Sequence, residues 1–500
     1  MEPYQYNTAP PVNTPQKEEP KIEKRDFIFA ILSFVVGYLL CEFILFGGFG
    51  FGVPAFFIVF YTVALLYLRH KKGVFNKRNL ISLIPVAVIL ICFALFDNEV
   101  LRGFNLLALW LFAALSFIAI AVDENSPLFF SDTAFDILKT TFFLPFHNLD
   151  KGVRALGKRG TKGTNLLKIL LTLVIISPAV LIIILLLASS DAGFSRLANN
   201  VWSLFSSKIW EYVTKIIFAL LFAFPLFSFI YSLKNDAPYS RSKEGYGLNL
   251  AVLDTVITIS ALAVFCSIYL LYIAMQAGYL FSALAGKLPE GFTYAGYARR
   301  GFFELVAVAF INFIIILFAS ALSKRREGKL TSIFRIAVSV LTVFTLLLIV
   351  TAISKMLMYV GYYGLTPLRV YTSWFLIMLA FVAVCILIKF IYPRFNFHRC
   401  AAVGVITLYL CLNLCNTDAI IASFNIAKYK QNPEKGIDIT LFDQLSNSAV
   451  PQILTLRNDT QYGYEIDKML ITRKKGLDRL NWQNMSLAGI LAKQSIEKIK

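Results

Sequence analysis

The stretch LLLIV at Leu346–Val350 lies inside an apolar block running from about residue 332 to 354. IIILLL at Ile182–Leu187 lies inside another, from about 166 to 188. A helix of about 20 apolar residues is the length that crosses the hydrocarbon core of a bilayer. Nine further blocks of that kind flank these two, at about 27–46, 51–68, 80–96, 105–122, 209–232, 250–274, 303–322, 372–391 and 400–416. The pattern predicts an all-α integral membrane protein with about eleven transmembrane helices. Buried helices of a soluble protein do not fit, because the blocks are too many and too long for one core.

Hydrophobic residues make up 58% of the chain and charged residues 16%, and the net charge is +18. In a soluble protein that charge would point to nucleic acid. Here the basic residues fall in short loops between apolar blocks, so nucleic acid is not an expected partner and the lipid bilayer is. Lys21, Lys24 and Arg25 precede the first block. Arg69, Lys71, Lys72, Lys77 and Arg78 follow the second. Further basic loops carry Lys234, Arg241 and Lys243, then Lys324, Arg325, Arg326 and Lys329, then Arg394 and Arg399. The loops Gly47–Gly50, Asp97–Phe104 and Ser189–Lys208 on the other side are poor in Lys and Arg. The positive-inside rule then predicts a multi-pass protein of a bacterial cytoplasmic membrane, with its N-terminus cytoplasmic and its C-terminus extracytoplasmic. Residues 1–26 are expected to be a disordered cytoplasmic N-terminus, 27–416 the membrane domain, and 417–500 a small extracytoplasmic helical module.

The connection over about 127–165 is too long for a turn. Phe135, Leu138, Phe142 and Leu144 alternate with Asp132, Asp136 and Lys139, which predicts a helix lying in the membrane interface. Lys151, Arg154, Lys158, Arg159 and Lys162 follow, and are expected to contact anionic head groups at about 1 kcal/mol each.

On the predicted outer side, YVGYYGLTPLRVYTSWF at Tyr359–Phe375 gathers tyrosines, glycine, proline and arginine between two spans. GFTYAGYARRGFFEL at Gly291–Leu305 is similar in style. Arg299, Arg300 and Arg369 are candidates to hold a phosphate or carboxylate. Tyr362, Tyr363 and Tyr371 are candidates to stack on a sugar or line a lipid. Arg300 and Glu304 share a helix face, and Asn312 lies about 12 Å deeper on the same helix. Asp97 and Arg102 in another outer loop complete the set, with a surface salt bridge as the plainer reading. An interfacial aromatic belt with snorkelling arginines is the plain alternative for the whole group.

The quoted stretches, with NTDAIIASFNIAKY at Asn416–Tyr429 and LSNSAVPQIL at Leu445–Leu454, resemble an uncharacterised bacterial membrane family. That family is domain of unknown function 4173, a relative of the family numbered 4153. The resemblance runs from about Phe96 through Leu454. Thr417 stands where the family pattern has proline, which is expected to loosen the turn leaving the last span. The resemblance implies no established activity, substrate or catalytic residue.

No Walker loop, dinucleotide fingerprint, HExxH or nucleophile elbow is present in the sequence. The seven cysteines lie in or beside apolar blocks and the three histidines in three separate loops, so neither metal nor cofactor is expected. The leading expectation is binding or translocation of an anionic or amphiphilic cell-envelope solute, such as a lipid precursor. A membrane enzyme using Asp97, Glu99 or Glu304 is the first alternative. A sensor or scaffold that binds an extracytoplasmic protein through the C-terminal segment is the second.

Overall fold

In the computed structural model, residues 22–69, 74–121, 133–157, parts of 172–197, 207–235, 252–284, 302–324 and 329–498 are described. Among them, nine helices are long and apolar enough to cross a membrane. A tenth apolar helix, Gly52–Leu68, is shorter, at 17 residues. The 166–188 block lies largely outside the described residues.

The first elements are α1 (Lys24–Leu40), its π-helical extension Cys41–Leu45, α2 (Gly52–Leu68), α3 (Lys77–Ser82), α4 (Ile84–Leu95) and α5 (Glu99–Ala121). Next come α6 (Thr133–Leu138), α7 (Leu144–His147), α8 (Leu149–Gly157) and α9 (Ser207–Asn235). Then follow α10 (Thr255–Leu284), α11 (Phe302–Leu322), α12 (Lys329–Tyr363), α13 (Pro367–Ile391) and α14 (Phe397–Leu414). The chain ends with α15 (Thr417–Gln431), α16 (Ile439–Asp443), α17 (Val450–Ile453), α18 (Gly463–Leu477) and α19 (Leu487–Glu497). Contacts divide the chain into two compact units, Met1–Gly37 with Leu144–Asp236, and Tyr38–Phe143 with Ala237–Lys500.

In the first unit, α9 packs on α7 and α8. Asn148 donates from its backbone to Ser228 Oγ and from its amide to Ser232 Oγ, both at 2.8 Å. Asp26 is buried and lies 3.4 Å from Lys234 Nζ. Lys151 is also buried, with Asp150 at 3.9 Å, while Arg154 is exposed and pairs with the same carboxylate. Lys158, Arg159 and Lys162 lie outside the described residues.

The second unit has α12 at its centre, packed on α10, α11 and α13. Leu305, Ala309, Ile349, Ala352, Leu376 and Leu379 fill one layer, and Leu262, Ile316, Val338 and Leu341 the next. Lipid tails are as apolar as these side chains, so close packing and polar links must hold such helices together. Asn312 is one link: it accepts from Tyr269 Oη at 2.5 Å and donates to Thr345 Oγ1 at 3.0 Å. Tyr61 and Ser116 form another, at 2.8 Å, between α2 and α5.

After α14, the helices α15 to α19 enclose a core of their own, built on Ile421, Phe442, Ile453, Ile466 and Leu470. Full burial of Phe442 alone is worth about 2–3 kcal/mol. Thr417 takes the first helical position of α15, and the Asn416 side chain accepts from Ala419 N at 3.2 Å. That cap closes the turn without the proline of the family pattern. The glycine-rich hairpin between α1 and α2 docks on the loop before α19. Gly50 and Gly52 donate to Gln483 O at 3.0 and 2.9 Å, and Phe51 donates to Met485 O at 2.9 Å. A Cβ on Gly50 would overlap the Asn484–Met485 backbone, so glycine there permits main chain to meet main chain.

Candidate functional site

The turn between α12 and α13 is written in its residues. Gly364 has φ +81, a region that side chains other than glycine enter at a cost of roughly 1–2 kcal/mol. Thr366 is the N-cap of α13, accepting from Arg369 N, and Pro367 takes the first helical position. Between them, Leu365 is clasped by Asn425 of α15. The Asn425 amide oxygen accepts from Leu365 N at 3.0 Å and its nitrogen donates to Leu365 O at 2.8 Å.

The carbonyl end of α12 carries about half a negative charge, and three cations gather on it. Arg369 Nη1 donates to Tyr363 O at 3.2 Å and to Gly364 O at 2.6 Å, with the guanidinium 4.2 Å over the Tyr359 ring. Lys428 Nζ donates to Gly361 O at 2.6 Å and Val360 O at 3.4 Å. Lys435 Nζ lies 5.3 Å from the Tyr362 ring. Burial, together with the charges of Lys435 and Arg369, pushes the Lys428 ammonium below its ordinary range. Among the described residues, Nε and Nη2 of Arg369 have no acceptor.

Beside this cationic turn lies a pocket of about 460 Å³. It is walled by Phe302 and Phe303 from α11, Met356 and Tyr359 from α12, and Leu368 from α13, with Thr366, Arg369 and Thr372 as its polar members. A volume in the hundreds of cubic ångströms, apolar walls and a few polar groups at one side are features that small-molecule pockets share.

Asp97 and Arg102 sit elsewhere, in a clasp between the start of α5 and the C-terminal helices. Asp97 accepts from Asn447. Asn98 donates to both carboxylate oxygens of Asp418 at 2.9 and 2.8 Å, and Ser446 N donates to Asp418 at 2.9 Å. Arg102 Nε donates to Phe96 O at 3.2 Å, within electrostatic reach of Asp97 and Glu99. Arg473 donates to Ser446 O and Phe442 O at 3.1 and 2.8 Å. Burial lowers the Arg473 pKa, opposed by the charges of Asp97, Asp443 and Asp418. The cavity lined by Arg102, Asn105, Asn413 and Asp418 measures about 10 Å³, room for about one water. Its chemistry is that of a structural joint.

Of the other residues picked from the sequence, Asn312 is committed to the Tyr269–Thr345 link. Glu304 acts electrostatically on Lys355 of α12. Tyr362 and Tyr363 are exposed, their rings edge-on at 4.8 Å, next to the cationic turn. Tyr371 is partly buried and faces Thr417 and Asn98 of the clasp. Arg299 and Arg300 lie outside the described residues. Sequence reasoning missed Lys428, Lys435 and Asn425, which follow Gly364 by more than sixty residues, and the pocket walls at Phe302, Met356 and Leu368. Among the described residues, no group of His, Cys, Asp and Glu is placed to hold a metal ion.

No curated protein and no solved structure matches the chain. A family model does, over residues 83–456, a span that takes in α4 to α17, the clasp, the cationic turn and the pocket. It is that of the relative, 4153, rather than of 4173 itself: the chain belongs to the family described as Domain of unknown function (DUF4153).

Proposed function

We propose that this protein binds or translocates an amphiphilic cell-envelope solute, with its anionic group on Arg369, Lys428 and Lys435 and its apolar part in the adjoining pocket. The observation that carries the reading is Arg369, which lines a largely apolar cavity of lipid-compatible size and shares the end of α12 with Lys428 and Lys435. The charges that act on Lys428 from its surroundings are both positive, and an anionic head group would relieve that crowding. The free edge of Arg369 offers two donors in the fork geometry suited to phosphate or carboxylate. In this reading the membrane is a bacterial cytoplasmic membrane, the N-terminus is cytoplasmic, and the turn at Gly364 and the C-terminal module face outward.

The enzyme alternative has less behind it. Asp97 is engaged by Asn447, and neither Asp97 nor Glu304 lines the pocket.

The test is mass spectrometry of molecules that co-purify in mild detergent. Wild type is compared with Arg369→Gln, which removes the charge, and with Thr372→Trp, which fills the pocket and leaves the cations intact. An amphiphile held by wild type and reduced about tenfold or more in both variants supports the reading, a loss of about 1.4 kcal/mol. Equal contents in all three proteins, each eluting as a single folded species, would leave the cations with no task beyond capping α12.

A further inference from the structure

We infer that the C-terminal helices dock onto the phospholipid leaflet beside them, through an apolar face made by Trp482, Leu480, Leu487 and Leu491. The hairpin between α1 and α2 joins two apolar helices, so its residues mark the boundary of the bilayer. Phe46 and Phe49 at that boundary are 44% and 41% exposed, as lipid-facing residues are. Gln483 and Met485 bond the backbone of this same hairpin, which fixes the loop before α19 at the boundary plane. The Trp482 ring meets Phe43, in the last turn of the first span, edge-on at 5.5 Å.

From that anchor exposed apolar residues run on into α19. Trp482 is 54% exposed, and Leu487 and Leu491, four residues apart on α19, share one face at 40% and 49%. The opposite face of α19 turns Gly489, Ala492 and Ile496 into the core. α19 also packs against α4, itself one of the spanning helices. Tryptophan at the head-group level with leucines just below it is the arrangement that seats an amphipathic helix in a membrane interface. A water-facing reading would leave Leu487 and Leu491 exposed on a helix that packs against a span, with Leu480 and Trp482 exposed in the loop before it. The occupant is therefore the acyl-chain boundary of the same bilayer, and the proposal is independent of what fills the pocket at Arg369.

The test uses the full-length protein in vesicles of phosphatidylethanolamine and phosphatidylglycerol. Tryptophan emission is recorded for wild type and for Trp482→Phe, whose ring keeps the contact with Phe43. The difference spectrum isolates Trp482. Replacing the lipids with analogues brominated high on the acyl chain is expected to lower that difference at least about twofold, because quenching requires near contact with the bromine. A difference spectrum unchanged by brominated lipid would overturn the proposal and place the face in water or against protein.

Discussion

Asn425 and Gly364 meet at one turn, and a double-mutant cycle between them tests that geometry. Gly364→Ala has two costs. Its φ of +81 disfavours any side chain by roughly 1–2 kcal/mol. The new Cβ would also overlap the Asn425 amide oxygen, an overpacking cost of about 1–3 kcal/mol. Asn425→Ala removes the clasp on Leu365, at about 2–4 kcal/mol for the two backbone groups left without partners. In the double variant the backbone cost of Gly364→Ala stays and the overlap vanishes. The summed single losses should therefore exceed the double loss by about 1–3 kcal/mol. Unfolding in mixed micelles, followed by circular dichroism as the denaturing detergent fraction rises, reads all four stabilities. Additivity within about 0.5 kcal/mol would refute the shared geometry.

Asn312→Ala should destabilise the α10–α11–α12 contact by about 0.6–2 kcal/mol, read in the same unfolding assay, because Tyr269 and Thr345 lose their link. Gly50→Val should detach the hairpin from Gln483–Met485, seen as faster proteolysis between residues 478 and 487 with the spans intact. Asp478 is held below the usual carboxylate range by its hydrogen bond from Lys493, whose own pKa is raised by the same contact. The pair's stabilisation is thus present from above the unfolded aspartate range up to the lysine range. It is lost as pH falls through the depressed Asp478 pKa, and again as pH rises through the raised Lys493 pKa. Asp478→Asn should flatten both limbs of the melting-temperature profile relative to wild type.

The spans were legible because their signal is local: a run of apolar residues states its own length. The stop and start at Gly364–Pro367 were equally local, since glycine, threonine and proline each carry a backbone preference. The task of Arg369 was legible only in part. Its charge was visible, but its use of Tyr363 and Gly364 carbonyls depends on a fold-back that residue types do not encode. Lys428 and Lys435 read as ordinary surface lysines of a mixed-charge segment, and only tertiary packing brings them to the end of α12. Gly47–Gly52 was the least readable. A glycine-rich loop without a strand before it carries no chemistry, and its partner at Gln483–Met485 is more than four hundred residues away. Asp97 and Arg102 looked like site residues because charge near a span end is costly. In the fold Asp97 accepts from Asn447 and Arg102 donates to Phe96 O, beside the Asn98–Asp418–Ser446 contacts that tie the start of α5 to the C-terminal helices.

Occupancy of the pocket can be read with a phosphate-headed lipid that carries a photoreactive group partway along its acyl chain. Membranes carrying the protein are irradiated, and cross-linked peptides are mapped by mass spectrometry. Attachment is expected at Phe302, Phe303, Met356 or Leu368, suppressed by unlabelled anionic lipid and by Thr372→Trp. Attachment spread evenly over the lipid-facing residues of the spans, with no excess at this pocket and no response to Thr372→Trp, would contradict that occupancy.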